Sequence, residues 1–189
     1  MPEQATPFYL ETERLVLRDW REEDWEPFWH GTNTPAVMRW LGGLLDEKGM
    51  ADARARLEKY HRDAGHTFWV VERKQDGAIL GFCGIKLCTE EEGPLGTPEL
   101  GYRLREDAWR KGYAKEAAIA SLEAGFTRLG AQEIVALTVE GNKGSWGLME
   151  KLGMGRRPEL DFPETMWAQD YGPVIVYSIT KDQWERQLG

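Results

Sequence analysis

Apolar and polar positions follow two different periods along the chain, and each period predicts a different element. Residues 14–20, RLVLRDW, alternate as a half-buried strand does. The acidic stretch from Arg21 to Glu26 is typical of the first turn of a helix, and a short apolar helix is expected over residues 35–41, PAVMRWL. Between about Asp46 and Ala64 a charged segment carries apolar side chains at helical spacing, which predicts an amphipathic surface helix.

The middle of the chain predicts a hairpin followed by another strand. Two β-rich runs flank Gln75-Asp76-Gly77, and Asp-Gly between apolar runs is a strong hairpin signal. The second run is apolar on both faces, which favours a central position in the sheet. The next strand, PELGYRL at 98–104, alternates. One of its faces carries Leu100, Tyr102 and Leu104, and the other carries Glu99, Gly101 and Arg103.

The second half of the chain adds a β-α-β-α unit and a late strand. A helix is predicted from Tyr113 to Leu129, closed by Gly130, then a strand at 133–139 and a short helix at 144–152. A further strand is predicted at 173–179. Mostly antiparallel hairpins with one such unit predict an α+β fold, with helices on both faces of the sheet. No linker divides the chain, so one domain is expected over residues 1–189.

Composition and charge narrow the class of protein. The 189 residues are 41% apolar and include 21 aromatic side chains, enough for a folded core. The net charge is −8 and no Lys/Arg-rich tail is present, which argues against nucleic acid and favours a cationic or amine-bearing partner. No apolar run approaches the roughly 20 residues that span a bilayer. A cytoplasmic protein without membrane contact is expected.

Cysteine and histidine positions give no sign of a disulfide or a metal. Cys83 and Cys88 lie in or just after one predicted strand, where a mutual disulfide would bend the strand sharply, so two free thiols are expected. The three histidines lack ligand spacing, so no metal site is predicted.

The stretch from Glu99 to Ala117 carries the strongest chemical signal. A strand runs through a turn at Gly112 directly into a helix, so the unpaired N–H groups of the first turn face outward and predict an anion site. Between residues 103 and 115 there are five basic side chains and two acidic ones, an excess of +3. An ordinary strand–turn–helix corner with a solvated basic edge explains the same composition and stays open as the alternative.

The loop Trp109-Arg110-Lys111-Gly112-Tyr113-Ala114 resembles the pyrophosphate-binding loop of the GNAT N-acetyltransferases, whose pattern is Gln/Arg-x-x-Gly-x-Gly/Ala. Trp109 stands where Gln or Arg is usual, a feature of the RimJ/RimL-type branch, named for ribosomal-protein N-terminal acetyltransferases. The resemblance extends in order over nearly the whole chain. It is carried by ETERLVLR, ILGFCGI, ELGYRL, Asn142-x-x-Ser145, EKLGM at 150–154 and VYSI.

The resemblance implies a GNAT-type mixed sheet, mostly antiparallel, that splays between the strands at about 99–104 and 133–139. Pantetheine of acetyl-CoA, the cosubstrate, would fill this gap. Its implied backbone partners are Tyr102, Arg103 and Leu104. The residues implied to hold the diphosphate are Arg110, Lys111, Gly112, Tyr113, Ala114 and Lys115. Asn142 would orient the cofactor arm or a bridging water, and its alternative role is a helix N-cap.

The implied reaction is direct attack of a neutral amine on the thioester. Glu99 is expected to act as the general base through water, the alternative being an exposed carboxylate that attracts the cationic amine. The family often protonates the leaving thiolate with a Tyr four residues after the Asn, but this chain has Trp146 there. Ser145 is the nearest hydroxyl and is expected to serve as proton donor, the alternative being a helix cap.

The favoured function is therefore an acetyl-CoA-dependent N-acetyltransferase acting on a primary amine, and the alternative is a non-catalytic acyl-CoA-binding module of the same fold. A nucleotide-phosphate enzyme is weaker, because the loop lacks the first glycine and the hydroxyl of a P-loop. The acceptor stays open among peptide N-termini, polyamines, amino acids and aminoglycosides. A homodimer also stays open. The series Trp20, Trp25, Trp29 and Trp40 either lines the acceptor site or packs in the core.

Overall fold

The fold is an eight-stranded sheet covered by helices, seen in a computed structural model that describes residues 6–90, 93–163, 168 and 170–189. The strands lie in the order β1-β2-β3-β4-β5-β6-β8-β7. They are β1 (Tyr9–Glu11), β2 (Leu15–Arg18), β3 (Phe68–Arg73), β4 (Ile79–Leu87), β5 (Pro98–Leu104), β6 (Glu133–Val139), β7 (Gly155–Arg156) and β8 (Val174–Thr180). The α-helices are α1 (Trp25–Thr32), α2 (Pro35–Met38), α3 (Glu47–Ala64), α4 (Tyr113–Thr127), α5 (Lys143–Lys151) and α6 (Lys181–Leu188).

Two apolar layers hold the helices to opposite faces of the sheet. One layer joins the sheet to the helices α4, α5 and α6, and includes Trp69, Leu122 and Trp184. The other joins it to α1 and α3 through a cluster centred on Phe28 and Phe82. The predicted α+β fold with helices on both faces is confirmed.

All but one of the sheet's strand pairings are antiparallel, and the exception is the one that matters for function. β4 pairs with β5 along its length, from Gly81 opposite Leu104 to Leu87 opposite Pro98. β5 and β6 run parallel and share a single register pair, Glu99 with Val135. Beyond that pair the two strands separate, so the predicted split is present and one edge of β5 faces a gap.

The sequence pattern missed three short or polar elements. β1 and β7 contain three and two residues, too few to show a period of two. The helix α6, KDQWERQL, is polar apart from the buried Trp184, and its start is marked by a capping box between Thr180 and Gln183. Within the described ranges, no helix is long and apolar enough to cross a membrane.

Candidate active site

The junction between β5 and α4 has the geometry expected of an anion site. Gly112 is the N-cap of α4 with φ +83°, and it offers no side chain to cap the helix. The N–H groups of the first turn have no intrahelical acceptor, as in any helix, and here no N-cap side chain accepts from them either. They carry the positive end of the helix dipole. Arg110, two residues earlier, also has a positive φ of 59°. This bend brings backbone close to whatever binds at the helix end.

Side-chain hydrogen bonds from Trp109 and Arg14 fix the loop in this shape. The Trp109 indole Nε1 donates to the carbonyl oxygen of Leu104 at 2.8 Å and ties the loop to the end of β5. The guanidinium of Arg14 donates through Nη1 to the Lys111 carbonyl at 2.9 Å, and through Nε to Glu116 at 2.7 Å. Sequence reasoning gave Arg14 and Glu116 no role. A carboxylate in the first turn of α4 was the available signal, but its partner lies 102 residues away.

Three basic side chains around this helix start are exposed and unengaged. Arg110, Lys111 and Lys115 are solvent-exposed, and none of them forms an ion pair with any residue in the described part of the chain. Tyr113 is buried and anchors the helix, with Arg14 stacked 4.3 Å above its ring. Ala114 is small and half-buried, so it leaves space beside the loop. The loop therefore offers free cations and free N–H donors, which suits a diphosphate.

The open edge of β5 leads from this loop toward Glu99. Tyr102 and Leu104 lie on the stretch of β5 that has no register pair with β6, and their backbone N–H and C=O groups face this open edge. The backbone groups of Arg103, also predicted to pair with the cofactor arm, point instead to β4, because the Arg105 N–H donates to the Leu80 carbonyl and alternate residues of a strand bond to the same neighbour. Backbone groups on such an edge can pair with an extended ligand as they would with another strand. The hydrogen bond from Trp109 to the Leu104 carbonyl holds the loop at the end of β5. Donors for an anion therefore lie next to backbone that can pair with an extended arm.

Glu99 is buried, and this differs from the exposed carboxylate of the alternative interpretation. The residue is only 9% exposed, and its Oε2 lies 2.8 Å from Nζ of Lys86 on the neighbouring strand. The Cys88 thiol lies 3.6 Å from the same oxygen. Glu99 lies on the α1/α3 side of the sheet, on the strand face that it was predicted to share with Gly101 and Arg103. Its partner Lys86 was not predicted.

Ser145 lies at the other side of the gap, where its hydroxyl meets a side chain of β5. The Tyr102 phenol donates to the backbone carbonyl of Ser145 at 2.9 Å, and the two hydroxyl oxygens are 3.2 Å apart. Burial raises the pKa of the Tyr102 phenol, so the phenol stays protonated. Tyr102 was predicted to contribute only its backbone, and the side-chain contact was missed.

The helix cap at this position belongs to Asn142 and not to Ser145. The Asn142 side chain accepts a hydrogen bond from the Ser145 N–H at 3.4 Å, which makes Asn142 the N-cap of α5. The alternative interpretation of Ser145 as a cap is therefore wrong, and its hydroxyl is available for chemistry. The indole of Trp146 donates to the Glu140 carbonyl at 2.9 Å and so helps fix the start of the helix.

The cysteines and tryptophans are mainly structural. Neither Cys83 nor Cys88 forms a disulfide, as predicted, and both are buried. Burial raises the pKa of the Cys83 thiol to about 12, so this thiol is a poor nucleophile. Trp20 and Trp25 stack at 4.0 Å within the α1/α3 cluster, which Trp29 joins at its edge. Trp40 is separate and packs against Tyr171. In the described part of the chain, no cluster of His, Cys, Asp and Glu suits a metal ion.

Comparisons with known proteins agree with this geometry. The acetyltransferase (GNAT) domain family matches residues 14–155. The chain is 30% identical over 182 residues to the uncharacterized N-acetyltransferase YnaD of Bacillus subtilis (strain 168), an alignment that covers 93% of this chain and 99% of YnaD. It is 34% identical over 146 residues to the uncharacterized protein YkkB of the same strain, covering 77% of this chain and 84% of YkkB.

Solved structures show the same fold. An acetyltransferase from Agrobacterium tumefaciens str. C58 superposes with a TM-score of 0.76 at 25% identity, covering 96% of this chain and 99% of that one. A ribosomal-protein-S5-alanine acetyltransferase from Vibrio fischeri gives a TM-score of 0.71, covering 94% of this chain and 98% of that one. At 16% identity this second likeness shows the fold alone.

A split mixed sheet beside a glycine-capped helix start defines an acetyltransferase fold. The chain belongs to the GNAT acetyltransferase family, and it is an N-acetyltransferase. Enzymes of this family use acetyl-CoA as acetyl donor.

Proposed function

We propose that this enzyme transfers the acetyl group of acetyl-CoA directly to a primary amine, either a protein N-terminus or a small amine. The observation that carries the proposal is the start of α4, where no side chain caps the N–H groups, held next to the unpaired edge of β5 by the hydrogen bond from Trp109 to Leu104. Peptide N-termini are included because the loop with Trp109 and the order of motifs resemble the RimJ/RimL-type branch.

In this proposal the N–H groups at Gly112, Tyr113 and Ala114 hold the diphosphate, and the free cations Arg110, Lys111 and Lys115 neutralise its charge. The backbone of Tyr102 and Leu104 pairs with pantetheine along the gap. Asn142 acts indirectly, because its side chain fixes the start of α5 and thereby the position of Ser145.

Glu99 acts as the general base through a water molecule. Its carboxylate is ion-paired with Lys86 at 2.8 Å, and a carboxylate is the form that accepts a proton. The amine then forms its bond to the thioester carbon, the carbon–sulfur bond breaks, and the proton removed from the amine passes to Glu99. Ser145 donates a proton to the leaving thiolate and regains one from solvent, while Glu99 releases its proton to solvent, so both residues return to their starting forms. The Tyr102 hydroxyl at 3.2 Å holds Ser145 in place.

The decisive experiment is a free-thiol release assay with acetyl-CoA and a panel of amines that includes N-terminal peptides and polyamines. Mass spectrometry locates the acetyl group on the product. We expect amine-dependent thiol release and acetylation at a primary amine. CoA binding without thiol release for any amine would favour the non-catalytic acyl-CoA-binding module instead.

Glu99→Gln distinguishes a base from an electrostatic attractor, because it removes charge and basicity while it keeps the shape of the side chain. If Glu99 is the base, turnover falls at neutral pH and partly recovers as pH approaches the amine pKa of about 10, where more of the amine is already neutral. A variant with full turnover at neutral pH and a raised, salt-sensitive KM for the amine would identify an attractor.

A further inference from the structure

Arg103 is a charged side chain set among aromatic rings without a charged partner. Its guanidinium lies 5.2 Å from the centre of the Phe82 ring and 6.0 Å from that of Phe28. Its Nε atom is buried and has no hydrogen-bond partner. Among the residues that the structure describes, none forms an ion pair with Arg103.

Arg18, a buried arginine, shows what an apolar environment normally requires of a guanidinium. Arg18 is 5% exposed, and it donates two hydrogen bonds to Asp24 at 2.7 and 2.8 Å and a third to Glu72 at 2.9 Å. A buried guanidinium is costly unless such acceptors surround it. Aromatic faces attract a cation but accept no hydrogen bond of comparable strength. Arg103 therefore has binding capacity that the described protein groups do not use.

The surroundings of Arg103 favour an anion as its missing partner. Arg56, on α3, adds a second positive charge to the field at this site. Burial, with a smaller contribution from Arg56, lowers the pKa of Arg103 to about 10, so the side chain still carries its charge at neutral pH. Arg56 forms no ion pair with the residues described here. A planar guanidinium binds carboxylate or phosphate through two parallel hydrogen bonds.

The position of Arg103 separates it from the proposed diphosphate site. Its neighbour Phe28 is on α1, so the side chain lies on the α1/α3 side of the sheet, whereas α4 packs on the opposite side. Glu99 occupies the same side of β5 four residues away, about 13 Å along the strand. The Phe68 ring packs on Gly101 between them, because a Cβ atom at Gly101 would lie 2.4 Å from it. A molecule that reaches both the proposed base and Arg103 therefore has to extend past this ring.

We propose that Arg103 binds an anionic group, a carboxylate or a phosphate, on the same acceptor that presents the amine. This inference rests on the proposed function and adds an acceptor class to it, namely amines that also carry an anion. The acidic protein attracts the ammonium end of such a molecule, and Arg103 fixes the other end and its register along β5.

The test compares matched acceptors in the thiol-release assay. The carboxylate series is glycine, β-alanine, γ-aminobutyrate and ε-aminocaproate, and its controls are the alkylamines of equal length. Phosphate is tested by comparing phosphoethanolamine with ethylamine. We expect kcat/KM to be at least about tenfold higher for the best anion-bearing acceptor than for its control. Arg103→Met should abolish this preference, and Arg103→Lys should keep part of it, because lysine retains the charge without the fork.

Arg105→Gln is the matched control variant. Arg105 lies just beyond the end of β5, but it is paired with Asp107 at 2.6 Å, so its loss should leave the preference intact. CoA affinity, measured by calorimetry, should be unchanged in Arg103→Met, because the diphosphate site lies on the opposite side of the sheet. Removing an unpaired charge from among aromatic rings should also leave the melting temperature unchanged or raise it.

Binding of acetate and inorganic phosphate, followed by tryptophan fluorescence, separates failure of this inference from failure of the proposed function. An enzyme that acetylates no amine but binds either anion only when Arg103 is present would refute the function and support the anion site. Equal kcat/KM for both acceptor series in the wild type and in Arg103→Met would overturn the inference. If Arg103→Met does not fold, Arg103→Lys decides. The inference is also overturned if kcat/KM of this variant is no higher for anion-bearing acceptors than for their alkylamine controls and the wild type binds neither acetate nor phosphate.

Discussion

Gly112→Ala separates the role of this loop in ligand binding from its role in folding. Gly112 has φ +83°, where a residue with a Cβ atom pays roughly 1–2 kcal/mol. The new Cβ would otherwise meet only Nη2 of Arg14, at 3.2 Å, and that atom is the end of a flexible side chain. We therefore expect stability to fall by about 1–2 kcal/mol, with the fold retained.

CoA binding should fall by more than this loss of stability explains, because a methyl group at the helix start displaces the diphosphate from the N–H donors. Gly130→Ala is the matched control. Gly130 follows the other end of α4, has φ +70° and has nothing within 4 Å of an added Cβ, so it carries similar strain far from the site. Urea denaturation measures both stabilities and calorimetry measures CoA affinity. Equal CoA dissociation constants for the two variants would refute the anion site.

Two further predictions concern the leaving thiolate and pH. Ser145→Ala removes the hydroxyl but keeps the backbone carbonyl that accepts from Tyr102. It should lower kcat roughly ten- to a thousandfold with little effect on CoA affinity. A variant with wild-type kcat would exclude the proton-donor role. Burial lowers the pKa of His66, so the unfolded chain binds a proton more readily, and stability attributable to His66 should decline as pH falls below about 6.5. Between neutral and mildly acidic pH, the His66→Gln variant should therefore lose less stability than the wild type, as measured by urea denaturation. Identical pH dependence of the two proteins would contradict a contribution of His66.

Local patterns predicted most of the fold, because each depends on residues close together in the sequence. The hairpin at Asp76-Gly77, the strand at 133–139 and the glycine before α4 were all recognisable in this way. The split between β5 and β6 was expected only through the family resemblance. Nothing in the period of either strand shows that their pairing stops after Glu99.

Pairings between distant residues explain what the sequence could not predict. Glu99 was expected near the gap, but its buried ion pair with Lys86, which lies opposite it in the β4–β5 register, was not. The contact of Tyr102 with Ser145 joins residues 43 positions apart. A carboxylate or hydroxyl in a sequence pattern shows which face it occupies, whereas its protonation state and hydrogen-bond partners depend on elements that fold against it.

The alternation of β5 gives the proposed reaction a spatial order. Tyr102 points toward α5 and reaches Ser145, so the proposed chemistry of the leaving thiolate lies on one side of the strand. Glu99 and Arg103 point to the other side, where the amine and its anionic group would bind. The backbone edge between them faces the gap. Substitutions on the Ser145 side should therefore change kcat for every acceptor alike, whereas substitutions at Arg103 should change only the choice of acceptor.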